Sequence, residues 1–125
     1  MRRISLLLAV VLLAAACKTD PQATRLGLQT APELPPRACD GVLATPFRVG
    51  RVGDELIFVD SASGERRSII WPFGFAAWLE FGQGVLYASD GTVVGREGEV
   101  LDKIGGAGVE GEGFHVCSVG VRTYQ

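Results

Sequence analysis

The chain has 125 residues, 47% of them hydrophobic, with three cysteines, one histidine and a formal charge of −2. That length admits a single small domain, and setting aside Arg2 and Arg3 leaves ten basic side chains against 14 acidic ones, a balance that excludes nucleic acid as a partner.

Arg2 and Arg3 open the chain, Ile4 to Leu13 follow as an apolar run relieved only by Ser5, and Ala14-Ala15-Ala16 stand directly before Cys17. This is the order of an export signal: a positive end, a hydrophobic stretch that enters the bilayer as a signal helix, and small residues that fit a peptidase groove. Ile4 to Ala16 is too short, at about 1.5 Å per residue, to cross a hydrocarbon core of about 30 Å.

The segment resembles the lipobox of bacterial lipoproteins, with Ala14 where that family most often has Leu and Leu13 one position early. The resemblance implies that residues 1–16 are removed and that Cys17 receives a diacylglycerol thioether, anchoring the chain in the bilayer through two or three acyl chains. An ordinary secretory signal cleaved near Ala16, with Cys17 left as a thiol, is the alternative. Lys18 stands where an Asp would favour retention at the inner membrane, so the same resemblance points to the outer membrane.

Residues 17–37 read as the lipidated N-terminus and a disordered linker. Four of the six prolines (Pro21, Pro32, Pro35, Pro36) fall here, and Leu26, Leu28 and Leu34 are its only large aliphatics. Such a segment spans about 25 Å as a coil and about 60 Å as a polyproline helix.

Residues 38–125 hold sixteen of the seventeen glycines and short Val-, Ile-, Phe- and Leu-rich runs between turn signals, an all-β pattern. Strands are expected at Gly41–Ala44, Glu55–Asp60, Arg67–Trp71, Gly84–Ala88, Thr92–Arg96, Glu99–Ile104 and Phe114–Val119. Ser61 to Gly64 form one turn and Ser89-Asp90-Gly91 another, since Asp-Gly accepts positive φ. Ala76 to Phe81 is the only helix candidate in the domain. About six antiparallel strands in this length suggest a small barrel, because closure removes exposed edges. Gly91 to Val100, Gly105-Gly106-Ala107-Gly108 and Trp71-Pro72 together resemble small exported bacterial domains with an OB-like antiparallel barrel and no assigned activity.

If lipid consumes Cys17, Cys39 and Cys117 remain, and an exported pair closes as a disulfide. The alternative is a metal site made by Cys39, Cys117 and the lone His115, for which no CxxC or HxxxH spacing is present. No metal, cofactor or catalytic residue is expected.

Three further features carry competing readings. Gly105 to Gly113 has the glycine density of a phosphate cradle but lacks a following helix and Gly-Lys-Ser/Thr, so it reads as a bulged connection. Trp71, Phe73, Phe75 and Trp78 form either a binding surface or the core. The acids Asp54, Glu55, Asp60, Glu65, Asp90, Glu97, Glu99, Asp102, Glu110 and Glu112 mostly flank turn glycines, where they keep hairpins soluble; two of them could serve a hydrolase. The expectation is a membrane-anchored envelope lipoprotein whose non-enzymatic domain binds or scaffolds an envelope protein or glycan. The alternative is a small hydrolase or ligand-binding lipoprotein acting on cell-wall or glycan material.

Overall fold

The computed structural model describes residues 20–33, 39 and 42–124; the export-type segment, Cys17 and Lys18 lie outside them. The described residues form thirteen short strands and no helix, as the all-β pattern requires. In chain order these are β1 (Thr24–Leu26), β2 (Val42–Leu43), β3 (Phe47–Val52), β4 (Glu55–Asp60), β5 (Arg66–Arg67), β6 (Ile69–Ile70), β7 (Ala76–Glu80), β8 (Gln83–Tyr87), β9 (Val93–Arg96), β10 (Val100–Leu101), β11 (Ile104–Val109), β12 (Gly113–Val119) and β13 (Arg122–Thr123).

Three antiparallel hairpins organise the molecule. β7–β8 is flanked as β1-β7-β8-β9, β3–β4 as β10-β3-β4-β5, and β11–β12 as β13-β12-β11-β2, with β6 joining β12 in parallel at Phe114 and His115. The long strands carry the period-two pattern that fixes which face turns inward: Leu56, Phe58 and Asp60 of β4 are buried and the residues between them are not.

The three sheets do not close into a barrel. β5 and β10, which edge the β3–β4 sheet, pair through two residues each, too few rungs to carry the ladder on to a neighbouring sheet. The OB-like barrel expected from strand count is thus replaced by three sheets around one core, drawn from Leu26, Ala77 and Leu86 of one sheet, Phe47, Val49, Leu56 and Phe58 of the second, and Ile69, Ile104 and Val116 of the third.

Residues 24–31, expected to lie in a disordered linker, are part of this fold. Thr24, Arg25 and Leu26 pair with Leu79, Trp78 and Ala77 of β7. Beyond them the Gly27 amide donates to the Asp54 carbonyl at 2.8 Å, and the Gly27 carbonyl accepts from Leu56 at 3.0 Å, attaching the same segment to β4. The physical reason is the spacing of Leu26 and Leu28: two residues apart on an extended chain, both aliphatic side chains face one way, and both pack on the core.

The helix candidate at Ala76 to Phe81 is also corrected, because these residues are strand β7 and its turn, with Ala77 buried opposite Leu86. Gly105 to Gly113 is mostly strand β11, broken by a bulge between Gly105 and Gly106. Gly106 has a steric reason to lack a side chain: a Cβ there would lie 1.9 Å from the His115 carbonyl oxygen of β12.

The centre of the core is aromatic. Trp71 is fully buried, with its ring 5.2 Å from Phe58, 6.2 Å from Phe47 and 5.8 Å from Phe75, and Phe75 in turn meets Tyr124 edge-on at 4.9 Å. Cys39 and Cys117 are joined by a disulfide with Cα atoms 5.6 Å apart, which ties the chain entering β2 to β12.

Candidate functional site

The turn from β4 to β5 is built on one buried carboxylate. Asp60 Oδ1 accepts the amides of Ala62 (2.9 Å) and Ser63 (3.0 Å), while Oδ2 accepts Arg67 Nη2 (2.6 Å) and the Thr45 hydroxyl (3.2 Å). These donors, the Ser63 amide first and then the Arg67 guanidinium, hold its pKa well below the ordinary carboxylate range. Asp60 is therefore an anion at neutral pH, and it holds the Arg67 guanidinium of β5. Its neighbour Arg66 is held by Glu55 across the sheet at 2.6 Å.

Arg67 and Ser68 then form a ridge shared by two surface hollows, with Ile69 buried beneath them. The first, about 320 Å³, is bordered by Gln29, Glu55, Arg66, Arg67 and Ser68, over the side chains of Leu56 and Ile69. The second, about 440 Å³, lies on the other side between the ridge and the β11–β12 hairpin, where Val109 and Phe114 line it. Ser68 is fixed at the crest: its hydroxyl lies 2.9 Å from the Glu112 carbonyl and 3.3 Å from Gln29 Oε1, and its carbonyl accepts the Phe114 amide at 2.9 Å. One flank thus presents two half-exposed guanidinium groups beside an amide and a hydroxyl. The other presents an apolar wall.

The four aromatic residues expected at a binding surface are not brought together. Trp71 and Phe75 are core residues, Phe73 is exposed, and Trp78 is half-buried on β7 beneath the Arg25 guanidinium, 5.5 Å from its ring centre. A small domain fills its centre with its largest rings, so the core reading of Trp71 and Phe75 holds.

The remaining candidates have structural duties. Cys117 is in the disulfide, so the alternative ligand set with Cys39 and His115 is not formed; His115 Nε2 instead faces Glu112 Oε2 at 2.9 Å. Among the described residues no group of three or more His, Cys, Asp or Glu side chains could hold a metal ion. Glu97 Oε1 accepts the Gly84 amide and Arg51 Nε, each at 2.9 Å, and Glu99 Oε1 accepts the Arg96 amide at 2.6 Å. Asp90 accepts the amide and hydroxyl of Thr92 and is paired with Arg122. The pKa values of Asp90 and Glu97 are lowered, chiefly by the Thr92 hydroxyl and the Gly84 amide respectively, which suits hydrogen-bond acceptors and not general acids.

Sequence reasoning missed Gln29 and Ser68. The signal for Gln29 was the Leu26, Leu28 spacing, which marks the segment before it as a strand; Ser68 interrupts an otherwise strand-like run and has no signal of its own. Cys17 lies outside the described residues. Comparison with protein-family models, with curated proteins and with solved structures finds no match to this chain.

Proposed function

We propose that this protein is a lipoprotein of the bacterial envelope, anchored through acylated Cys17 after removal of residues 1–16, whose β domain binds another envelope component without converting it. The observation that carries the reading is the disulfide: Cys39 and Cys117 are bonded to each other, which is the state of cysteines in an oxidising, exported compartment, and it leaves Cys17 as the one sulfur at the end of an export-type segment. Lys18 favours the outer membrane. The binding face is the Arg67-Ser68 ridge, where hydrogen-bonding side chains on one flank, their two guanidinium groups already paired with Glu55 and Asp60, and an apolar wall on the other suit a ligand with uncharged polar groups beside an apolar one, such as an envelope peptide.

The test has two arms. Cells fed an alkyne fatty acid incorporate label into the native chain and none into Cys17→Ser; equal labelling of both, or of neither, removes the anchor. A photo-crosslinking residue at position 66 gives a discrete adduct in living cells that the same residue at exposed Asp102 does not; identical patterns from the two positions remove the binding face.

A further inference from the structure

Asp20, the first described residue, is fixed by hydrogen bonds. The Phe81 amide donates to Asp20 Oδ2 at 2.8 Å, and the Gln22 amide donates to Asp20 Oδ1 at 2.9 Å, so Asp20 is clamped against the β7–β8 turn. Only Lys18 and Thr19 separate Cys17 from Asp20, and even a fully extended chain spans only about 11 Å over those three steps. An acyl anchor on Cys17 therefore brings this particular turn to the lipid surface.

The turn carries an unusual residue for its geometry. Phe81 and Gly82 both have positive φ, 50° and 78°, the conformation in which Asn-Gly or Gly-Gly is favoured. Phe81 is the only described residue other than glycine with positive φ. A bulky side chain there is strained, and it recovers little inside the molecule because the residue is 68% exposed. The polar groups around the turn are already engaged: Asp20 with two amides, Glu80 with the Tyr87 hydroxyl, and Glu97 with Arg51 and Gly84. That leaves the ring as the turn's contact group.

We infer that Phe81 is a membrane-contact residue, which enters the interfacial layer of the bilayer when the chain is anchored at Cys17 and so sets how the domain stands on the membrane. This rests on the lipoprotein reading and adds the orientation. The interaction is apolar, so it does not depend on anionic lipid or on ionic strength.

The experiment uses the mature chain from Cys17 onward, coupled through its Cys17 sulfur to a single-chain maleimide lipid and mixed with phosphatidylcholine vesicles. One chain gives only marginal binding, so the ring's share is visible. Phe81→Asn is expected to weaken partitioning about fivefold at both 0.05 and 0.5 M salt, and Phe73→Asn to leave it unchanged. Phe81→Trp, with emission corrected for the native tryptophans, is expected to be quenched by lipids brominated near the headgroup, and Phe73→Trp is not. Equal partitioning of Phe81→Asn and the native chain, or quenching of Phe81→Trp no greater than that of Phe73→Trp, overturns the inference. The mass of the protein purified from cells separates the two failures: acyl chains on Cys17 with no role for Phe81 overturn this inference alone, whereas a bare Cys17 overturns the anchor on which it rests.

Discussion

The Gln29 carbonyl accepts the Trp71 amide at 2.9 Å, and the Trp71 carbonyl in turn accepts the Ala31 amide at 2.8 Å. This exchange fixes the central residue of the core, which follows β6, to the end of the same segment that pairs with β7 and β4.

The segment is accordingly expected to be essential for stability. Leu26→Ala should lower the unfolding free energy by about 2–4 kcal/mol, because it empties a buried site between two sheets. Urea denaturation followed by tryptophan fluorescence measures it, and a loss below about 0.5 kcal/mol, the level of a surface substitution, would show the segment to be peripheral.

Gly106 and Gly108 make a matched pair. Gly106→Ala should prevent the native β11–β12 register, since its Cβ would collide with the His115 carbonyl, whereas Gly108→Ala has open space and should change stability by less than about 0.5 kcal/mol. Thermal melts of the two variants side by side test the bulge.

Asp60 imposes a pH dependence of known sign. Its folded pKa lies below that of the unfolded chain, so its contribution is complete above the ordinary carboxylate value of about 4 and fades as pH falls through the depressed folded value. Asp60→Asn should therefore be less stable than the native chain at pH 7, with the gap closing below about pH 4. A gap that is constant from pH 7 to pH 2 would show that the charge is not what stabilises the turn.

The disulfide closes a loop with a sequence separation of 78, for which chain entropy gives about 4.5 kcal/mol. Reduction, or Cys39→Ser together with Cys117→Ser, should lower stability by about 2–4 kcal/mol in guanidinium titrations.

Phe81→Asn should behave in the opposite sense and raise stability by about 1 kcal/mol, because Asn accepts positive φ and no buried contact is lost. A stability gain combined with weaker vesicle binding would place the strain of this turn at the service of the membrane.

Much of the fold was legible locally. ELIFVD alternates and is β4; Asp90-Gly91 sits in a turn with Gly91 at φ 88°; the unbroken run around Phe114 to Val119 is β12. Strands whose partners supply the pattern were not legible: β7 has the composition of a helical turn, and β11 is largely glycine, so its identity comes from the ladder to β12.

From residue order alone one can read the all-β composition and the pairing of the two later cysteines, because each depends on turn chemistry or counting, while the charge and hydropathy before Cys17 give the expectation of an export signal. Which rings are buried and which strands and turns the segment from Asp20 to Ala31 joins could not be read that way. Those depend on contacts between residues far apart in the chain, such as Asp20 with Phe81 and Gln29 with Trp71, and no local pattern encodes a partner forty or sixty residues away.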